Sequence, residues 1–173
     1  MSHKTPMPGK TAPAIDAKSG SGGTFTLSTA PEGGFSVVFF YRGVHCPVCK
    51  TQIHELAQEE AVFREAGIAV SAVSMDDEER VARQRDEWDL GDLTFGHALT
   101  EESARAWWLY LSDKATDSEP ARFAEPGIAV IRPDGVIYAL YLQNTPFARP
   151  HLENLRKGLG FIMENDCPVR GMA

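Results

Sequence analysis

The stretch Phe39-Phe40-Tyr41-Arg42-Gly43-Val44-His45-Cys46-Pro47-Val48-Cys49-Lys50 decides how the rest of the chain is read. An apolar run ends in a short turn, and two cysteines three positions apart open an amphipathic helix. Cys49, Ile53, Leu56, Ala57, Glu60, Ala61 and Phe63 keep mostly apolar helical spacing until Gly67 supplies a stop. Cys46 and Cys49 share one side of the first turn, close enough for a disulfide. Cys46 lies over the unpaired amide donors of the helix N-terminus, which stabilise the reactive thiolate, and is expected to be the more exposed of the two. Pro47 suits an early helical position, where its fixed φ fits and its missing N–H costs nothing.

On the N-terminal side, Phe35 to Tyr41 is apolar almost throughout, as a central strand covered on both faces should be. Thr24 to Leu27 alternates polar and apolar like a half-buried strand, and Pro31-Glu32-Gly33-Gly34 turns the chain between the two. Residues 1–23 are rich in Pro, Gly, Ser and Thr and read as an irregular arm with one short strand near Ala14 to Asp16. On the C-terminal side, Ile68 to Ser74 is a further strand, and Asp76 with Glu79 fits a cap for a polar helix reaching Trp88. Leu93 to Leu99 is a short extended segment. Thr100 caps a helix through Ala104, Trp107, Trp108 and Leu111, and Asp113 to Glu125 is a polar loop.

Arg132-Pro133-Asp134-Gly135 is a hairpin turn between Ile128 to Ile131 and Val136 to Leu142, and a last helix runs from Pro150 to Met163, leaving 164–173 as a tail. Strands alternating with helices, then a hairpin and a closing helix, predict an α/β fold: one domain over 1–173, with a central mixed sheet and helices on both faces. The cysteine pair then falls at the carboxyl end of a central strand, where such folds place their sites.

Size and charge bound the function. With 173 residues, 43% of them hydrophobic, one sizeable core can be buried, and no shift of composition marks a second domain. A net charge of -7 argues against a nucleic acid or an anionic membrane surface as partner. No apolar run of about 18 residues is present to span a membrane, and the first residues lack the apolar core of a secretory signal, so a cytoplasmic protein is expected.

Three cysteines, two paired as CxxC, read as redox chemistry more than as a disulfide scaffold. Structural zinc needs four ligands, and Cys167 with His3, His45, His54, His97 and His151 shows no such spacing, so no metal and no organic cofactor is expected. Cys167 reads as an idle thiol in a mobile tail. Trp107 and Trp108 are adjacent and cannot both face one core. Of the residues around the pair, His45 either lowers the Cys46 pKa when protonated or points to water. Arg42 either lends positive potential or is solvated, and Tyr41 either donates a hydrogen bond or packs as an aromatic.

The segments PGKTAPAID, FFYRGVHCPVCK, GIAVSAVSMDDEE and PGIAVIRPDG occur in an order that resembles the thioredoxin-like superfamily, in its peroxiredoxin-like branch of alkyl hydroperoxide reductases and thiol-specific antioxidants. The likeness runs from about Lys10 to Ile162. It implies a thioredoxin-like fold with an added N-terminal hairpin, supplied by Thr24 to Leu27, and an inserted segment, supplied by Leu93 to Leu111. It also implies a disulfide or hydroperoxide substrate, a thioredoxin- or glutathione-type electron donor and compatibility with a homodimer. Two positions depart from the peroxiredoxin pattern of a proline, a threonine four later and the attacking cysteine three after that. Arg42, Cys46 and Cys49 occupy those places here, and Pro126 stands nine residues before Gly135, where the family's arginine would be. In thioredoxins that place holds a cis proline beside the CxxC. The first expectation is therefore thiol–disulfide exchange, with Cys46 entering and Cys49 resolving. Peroxide reduction through a sulfenic acid comes next, and family spacing would there assign attack to Cys49. A Cu(I) chaperone using two cysteines and a distant histidine is the non-enzyme alternative, although the cysteines are one residue closer here than in that group.

Overall fold

The computed structural model describes residues 6–173; residues 1–5, with His3 and the start of the expected arm, lie outside them. The chain forms β1 (Lys18–Ser19), β2 (Phe35–Phe40), α1 (Pro47–Glu65), β3 (Ile68–Val73), α2 (Glu78–Glu87) and β4 (Thr94–His97). It continues through α3 (Glu101–Ala106), β5 (Leu111–Asp113), β6 (Arg122–Ala124), β7 (Gly127–Ile131), β8 (Ile137–Leu142) and α4 (Leu152–Glu164). Six strands make one mixed sheet in the order β1-β4-β3-β2-β7-β8, and β5 with β6 forms a separate hairpin.

The alternation of side chains along a strand splits the core into two layers. Phe35, Val37, Phe39 and Tyr41 of the β2 segment join Ile68, Val70 and Ala72 of β3 on one face. They pack there with Cys49, Ile53, Leu56 and Phe63 of α1 and Leu152, Leu155 and Leu159 of α4. Val38 and Phe40 point the other way, to Val73, Ala129, Ile131, Leu99, Ala104 and Trp107. Helices thus cover both faces of the sheet. The Phe40 and Trp107 rings meet at 5.4 Å, so truncating Trp107 to alanine should cost about 3–5 kcal/mol. Trp108, its neighbour, is exposed and turns the chain with φ 58.

Several boundaries differ from expectation. The N-terminal hairpin is present but short: the Ser19 N–H donates to Gly23 O at 2.8 Å and the Phe25 N–H to Ala17 O at 3.0 Å, while Thr24 to Leu27 forms no regular strand. No strand forms at Ala14 to Asp16; Thr11 instead bridges Val136. The helix expected to reach Leu111 stops at Ala106, because Trp107 and Trp108 leave helical geometry and the Leu109 N–H returns to Ala104 O at 3.1 Å. The expected polar loop from Asp113 to Glu125 contains β6, which pairs Arg122 with Asp113 and Ala124 with Leu111. The tail is tied down, for the Tyr138 hydroxyl donates to Cys167 O at 3.1 Å and the Cys167 N–H donates to Ile162 O at 3.1 Å. Among the described residues no helix is long and apolar enough to cross a membrane.

Candidate active site

Strand β2 runs between β3 and β7, and its last residues carry the chain out of the sheet at Tyr41. Gly43, at φ 128, makes the turn that a side chain would strain. The Cys46 N–H closes this turn onto Gly43 O at 3.1 Å, and the Val44 N–H donates to Asp76 Oδ2 at 2.7 Å. Cys46 then occupies the N-cap of α1 with Pro47 at the first helical position, as expected. Its sulfur accepts the Cys49 N–H at 3.3 Å, a thiol filling the role usually taken by a serine or aspartate oxygen. That inward fold over the helix start buries both sulfurs, so Cys46, expected to be the more exposed of the two, is so only by 2% against 0% for Cys49. Both are reduced.

The electrostatics separate the two thiols. Hydrogen bonding from the Cys49 thiol draws the Cys46 pKa down to about 6, helped by the Cys49 N–H and by the charges of Arg149 and Arg42, and opposed by burial. Burial pushes the Cys49 thiol far up, and its hydrogen bond to Cys46 pushes the same way. The two share a proton, and the negative charge of the singly ionised pair rests on Cys46.

Arg149, on the segment before α4, donates from Nη2 to Cys49 Sγ at 3.0 Å. It also donates from Nη1 to Gln52 Oε1 and from Nε to Pro146 O at 2.8 Å, which aims the guanidinium. Gln143 Nε2 holds the same segment through Ala148 O at 2.6 Å and Phe147 O at 3.0 Å. No local spacing marks Arg149, and sequence reasoning missed it.

The other expected residues sort differently. Pro47 stands where it was placed. Arg42 is neither solvated nor a free cation: Nε lies 3.2 Å from Glu125 Oε2, Nη2 lies 3.4 Å from Glu119 Oε1, and the guanidinium sits 4.6 Å over the Phe123 ring. His45 packs edge-on against Phe123 at 4.8 Å, and neither ring nitrogen has a partner. Burial and the charges of Arg42 and Arg80 lower its pKa to about 4, so it is neutral near pH 7 and cannot act on Cys46 as a cation. Tyr41 is a buried aromatic, its hydroxyl donating to Gln84 Oε1 at 2.9 Å and its ring 5.9 Å from Trp88; burial raises its pKa.

Pro126 is buried and trans, since the described residues contain no cis peptide bond. The Glu125 N–H donates to Tyr110 O at 2.7 Å and Pro126 O accepts the Gln143 N–H at 3.0 Å. Pairing on both sides draws the chain straight from β6 into β7. Gly127 is paired with Phe40, so Pro126 lies at the same end of the sheet as the cysteines.

Asp76 was expected to cap α2. Asp77 does so instead, accepting the Arg80 N–H at 3.0 Å, while Asp76 turns inward to the cysteine-bearing turn. Two acids in a row with one cap to fill was the signal that could have exposed it. Cys167 lines a cavity with Gly33, Phe35, Asp134 and Tyr138, at the opposite end of β2 from the pair. Among the described residues no group of three or more His, Cys, Asp or Glu is arranged to hold a metal ion, and the copper reading gains no histidine at the two sulfurs.

The AhpC/TSA family model matches residues 8–140. The chain belongs to the AhpC/TSA family. It is accordingly a thiol-dependent oxidoreductase of peroxiredoxin type. Among solved structures it is similar to the reduced 2-Cys peroxiredoxin of Plasmodium vivax, at 18% identity over 95% of this chain and 89% of that one, with a TM-score of 0.71. It is also similar to Enterococcus faecalis AhpC, at 17% identity over 97% and 100% of the two chains and a TM-score of 0.70. A cysteine-to-serine mutant of peroxiredoxin 6 from Arenicola marina matches at 17% identity over 92% and 74%, with a TM-score of 0.71. At these identities the likeness speaks for the thioredoxin-like fold of peroxiredoxins. No curated protein sequence matches the chain significantly.

Proposed function

We propose that Cys46 and Cys49 are the redox-active pair of a peroxidase that reduces small hydroperoxides and resolves itself within one helical turn. The observation that carries this is the Cys46 sulfur at the N-cap of α1, accepting the Cys49 N–H at 3.3 Å and ionising near neutral pH. A thiolate is the attacking form, so Cys46 is the nucleophile and the protonated Cys49 waits to resolve. Its 2% exposure favours a small oxidant over a disulfide carried on a protein.

In the first step the Cys46 thiolate attacks the terminal peroxide oxygen. The O–O bond breaks, a sulfenic acid forms on Cys46, and the alkoxide leaves as alcohol after taking a proton. In the second, Cys49 loses its proton and its sulfur attacks the Cys46 sulfur, hydroxide leaves as water, and a Cys46–Cys49 disulfide forms. A thioredoxin- or glutathione-type donor in the cytoplasm returns two electrons and two protons by thiol exchange, first forming a mixed disulfide at Cys46 once the start of α1 opens far enough to admit it. Arg149 stabilises the negative charge of the pair. No metal or organic cofactor is required.

Thiol–disulfide exchange through the same pair is the second reading, favoured by the placement of CxxC at a helix start. The trans Pro126 removes one of the two positional arguments for it. Mixing reduced protein with hydrogen peroxide and, separately, with an oxidised low-molecular-weight disulfide tests the choice. Faster Cys46–Cys49 oxidation by peroxide supports the peroxidase; faster oxidation by the disulfide overturns it in favour of exchange.

A further inference from the structure

Asp76 is 1% exposed, and its carboxylate reaches one backbone amide, the Val44 N–H at 2.7 Å. Its Oδ1 is buried without a hydrogen-bond partner. Its own backbone is fixed at both ends, the N–H donating to Ser74 Oγ at 3.3 Å and the carbonyl accepting the Ala98 N–H at 2.7 Å. The carboxylate fills the place a side chain at Gly43 would take, for a Cβ there would lie 2.5 Å from both of its oxygens. The turn it grips, Gly43 to Cys46, is the one that sets the Cys46 sulfur over the helix start.

We propose that Asp76 is a positioning residue for Cys46: its ionised carboxylate holds the Gly43–Cys46 turn in the reactive shape, and protonation of that carboxylate loosens it. The proposal rests on the reading of Cys46 as nucleophile. A hydrogen bond to a carboxylate is about twice as strong as one to a neutral acid, so proton uptake weakens the grip without removing it. Burial raises the Asp76 pKa to about 6, against the Val44 N–H and the Arg80 charge, which lower it. The groups facing it are Arg80 and Arg83 of α2, the capping Asp77, the Tyr41 phenol at the end of β2 and the His97 imidazole of β4. Of these, Tyr41 and the arginines do not change charge in weak acid, and the His97 pKa is lowered, chiefly by burial, so Asp76 is the group poised to titrate there.

The test follows alkylation of the reduced full-length protein with iodoacetamide across pH, with mass spectrometry to assign the labelled sulfur and ultraviolet absorbance to count thiolate. The rate per thiolate at Cys46 should fall roughly fivefold from about pH 8 to about pH 5 in the wild type, and should stay level in Asp76→Asn, which has no charge to lose. A level profile in the wild type, or the same fall in Asp76→Asn, overturns the proposal while leaving Cys46 the nucleophile. Labelling of Cys49 in place of Cys46 overturns the nucleophile assignment and the proposal with it. Should Asp76→Asn not fold, the Val44 amide proton of the wild type decides by NMR. It should shift with the Asp76 titration, and an amide unmoved by pH refutes the coupling.

Discussion

Arg149 Nη2 lies 3.0 Å from Cys49 Sγ across a sequence separation of 100 residues, so the cation that hydrogen-bonds the pair comes from the far end of the chain. Arg149 lowers the pKa of both sulfurs. Replacing it with methionine keeps an apolar stem but removes the charge, and the Cys46 pKa should rise by about one unit, with a roughly twofold slower reaction at pH 7 and a larger loss, up to about tenfold, below pH 6. Lysine should restore part of the rate, since it supplies charge without the planar fork that also engages Gln52. Thiolate titration by absorbance checks both variants, and an unchanged Cys46 pKa in Arg149→Met would remove Arg149 from the site.

The two sulfurs differ in protonation, which makes their substitutions unequal. Cys49→Ser should leave Cys46 able to react and accumulate a sulfenic acid or a mixed disulfide, whereas Cys46→Ser should lose roughly a hundredfold or more in peroxide reaction, because Cys49 stays protonated and fully buried. Mass spectrometry of each variant after one equivalent of peroxide reads the outcome. A sulfenic acid on Cys49 in Cys46→Ser, formed at the native rate, would transfer the attacking role to Cys49.

The frame around the pair was legible because it is written in local patterns. The near-continuous apolar run of Phe35 to Tyr41, helical spacing from Cys49 to Phe63 and the Pro133-Asp134-Gly135 turn each specify an element without reference to distant residues. The cap at Cys46 followed from CxxC with Pro47. The charges around it did not. Arg149, Glu119, Glu125 and Asp76 reach the site from four different segments, and of these only Asp76, paired with Asp77 at a single cap, carries a local signal. Arg42 and His45 were visible beside the cysteines, yet their state depends on partners: two glutamates hold one in ion pairs, and the other packs against Phe123. Pro126 shows the same limit, since its position follows from spacing whereas its trans bond follows from the pairing of Glu125 and Pro126 to Tyr110 and Gln143.

Cys167 sits beside Phe35 and Tyr138, at the entry end of β2, while the pair sits beyond its exit. Six extended residues separate the two ends, about 20 Å, which no resolving thiol crosses without unfolding the tail. Cys167→Ser should therefore leave the peroxide rate and Cys46–Cys49 disulfide formation within twofold of wild type. Loss of turnover in this variant, measured with a dithiol donor, would give the tail a catalytic part.

His45 supplies a pH dependence of stability whose sign follows from its pKa. Burial, with Arg42 and Arg80, depresses that pKa from the ordinary 6.5 to about 4 in the folded chain. A depressed pKa contributes stability that is present above pH 6.5 and is lost as pH falls through about 4, because the unfolded chain takes up the proton first. The ring is partly exposed, so the linked loss is on the order of 2 kcal/mol. His45→Phe keeps the edge contact with Phe123 and cannot be protonated. Urea unfolding at pH 7 and again near pH 4.5 should show a smaller acid loss in His45→Phe than in the wild type. Asp76 works in the opposite direction: its pKa is raised, from 3.8 to about 6, so its contribution is present in acid and lost as pH rises through about 6. Asp76→Asn alone should therefore deepen the acid loss, and the double variant His45→Phe with Asp76→Asn should fall between the two single variants from pH 6.5 to pH 4. An acid loss undiminished in His45→Phe would place the titrating group elsewhere in the chain.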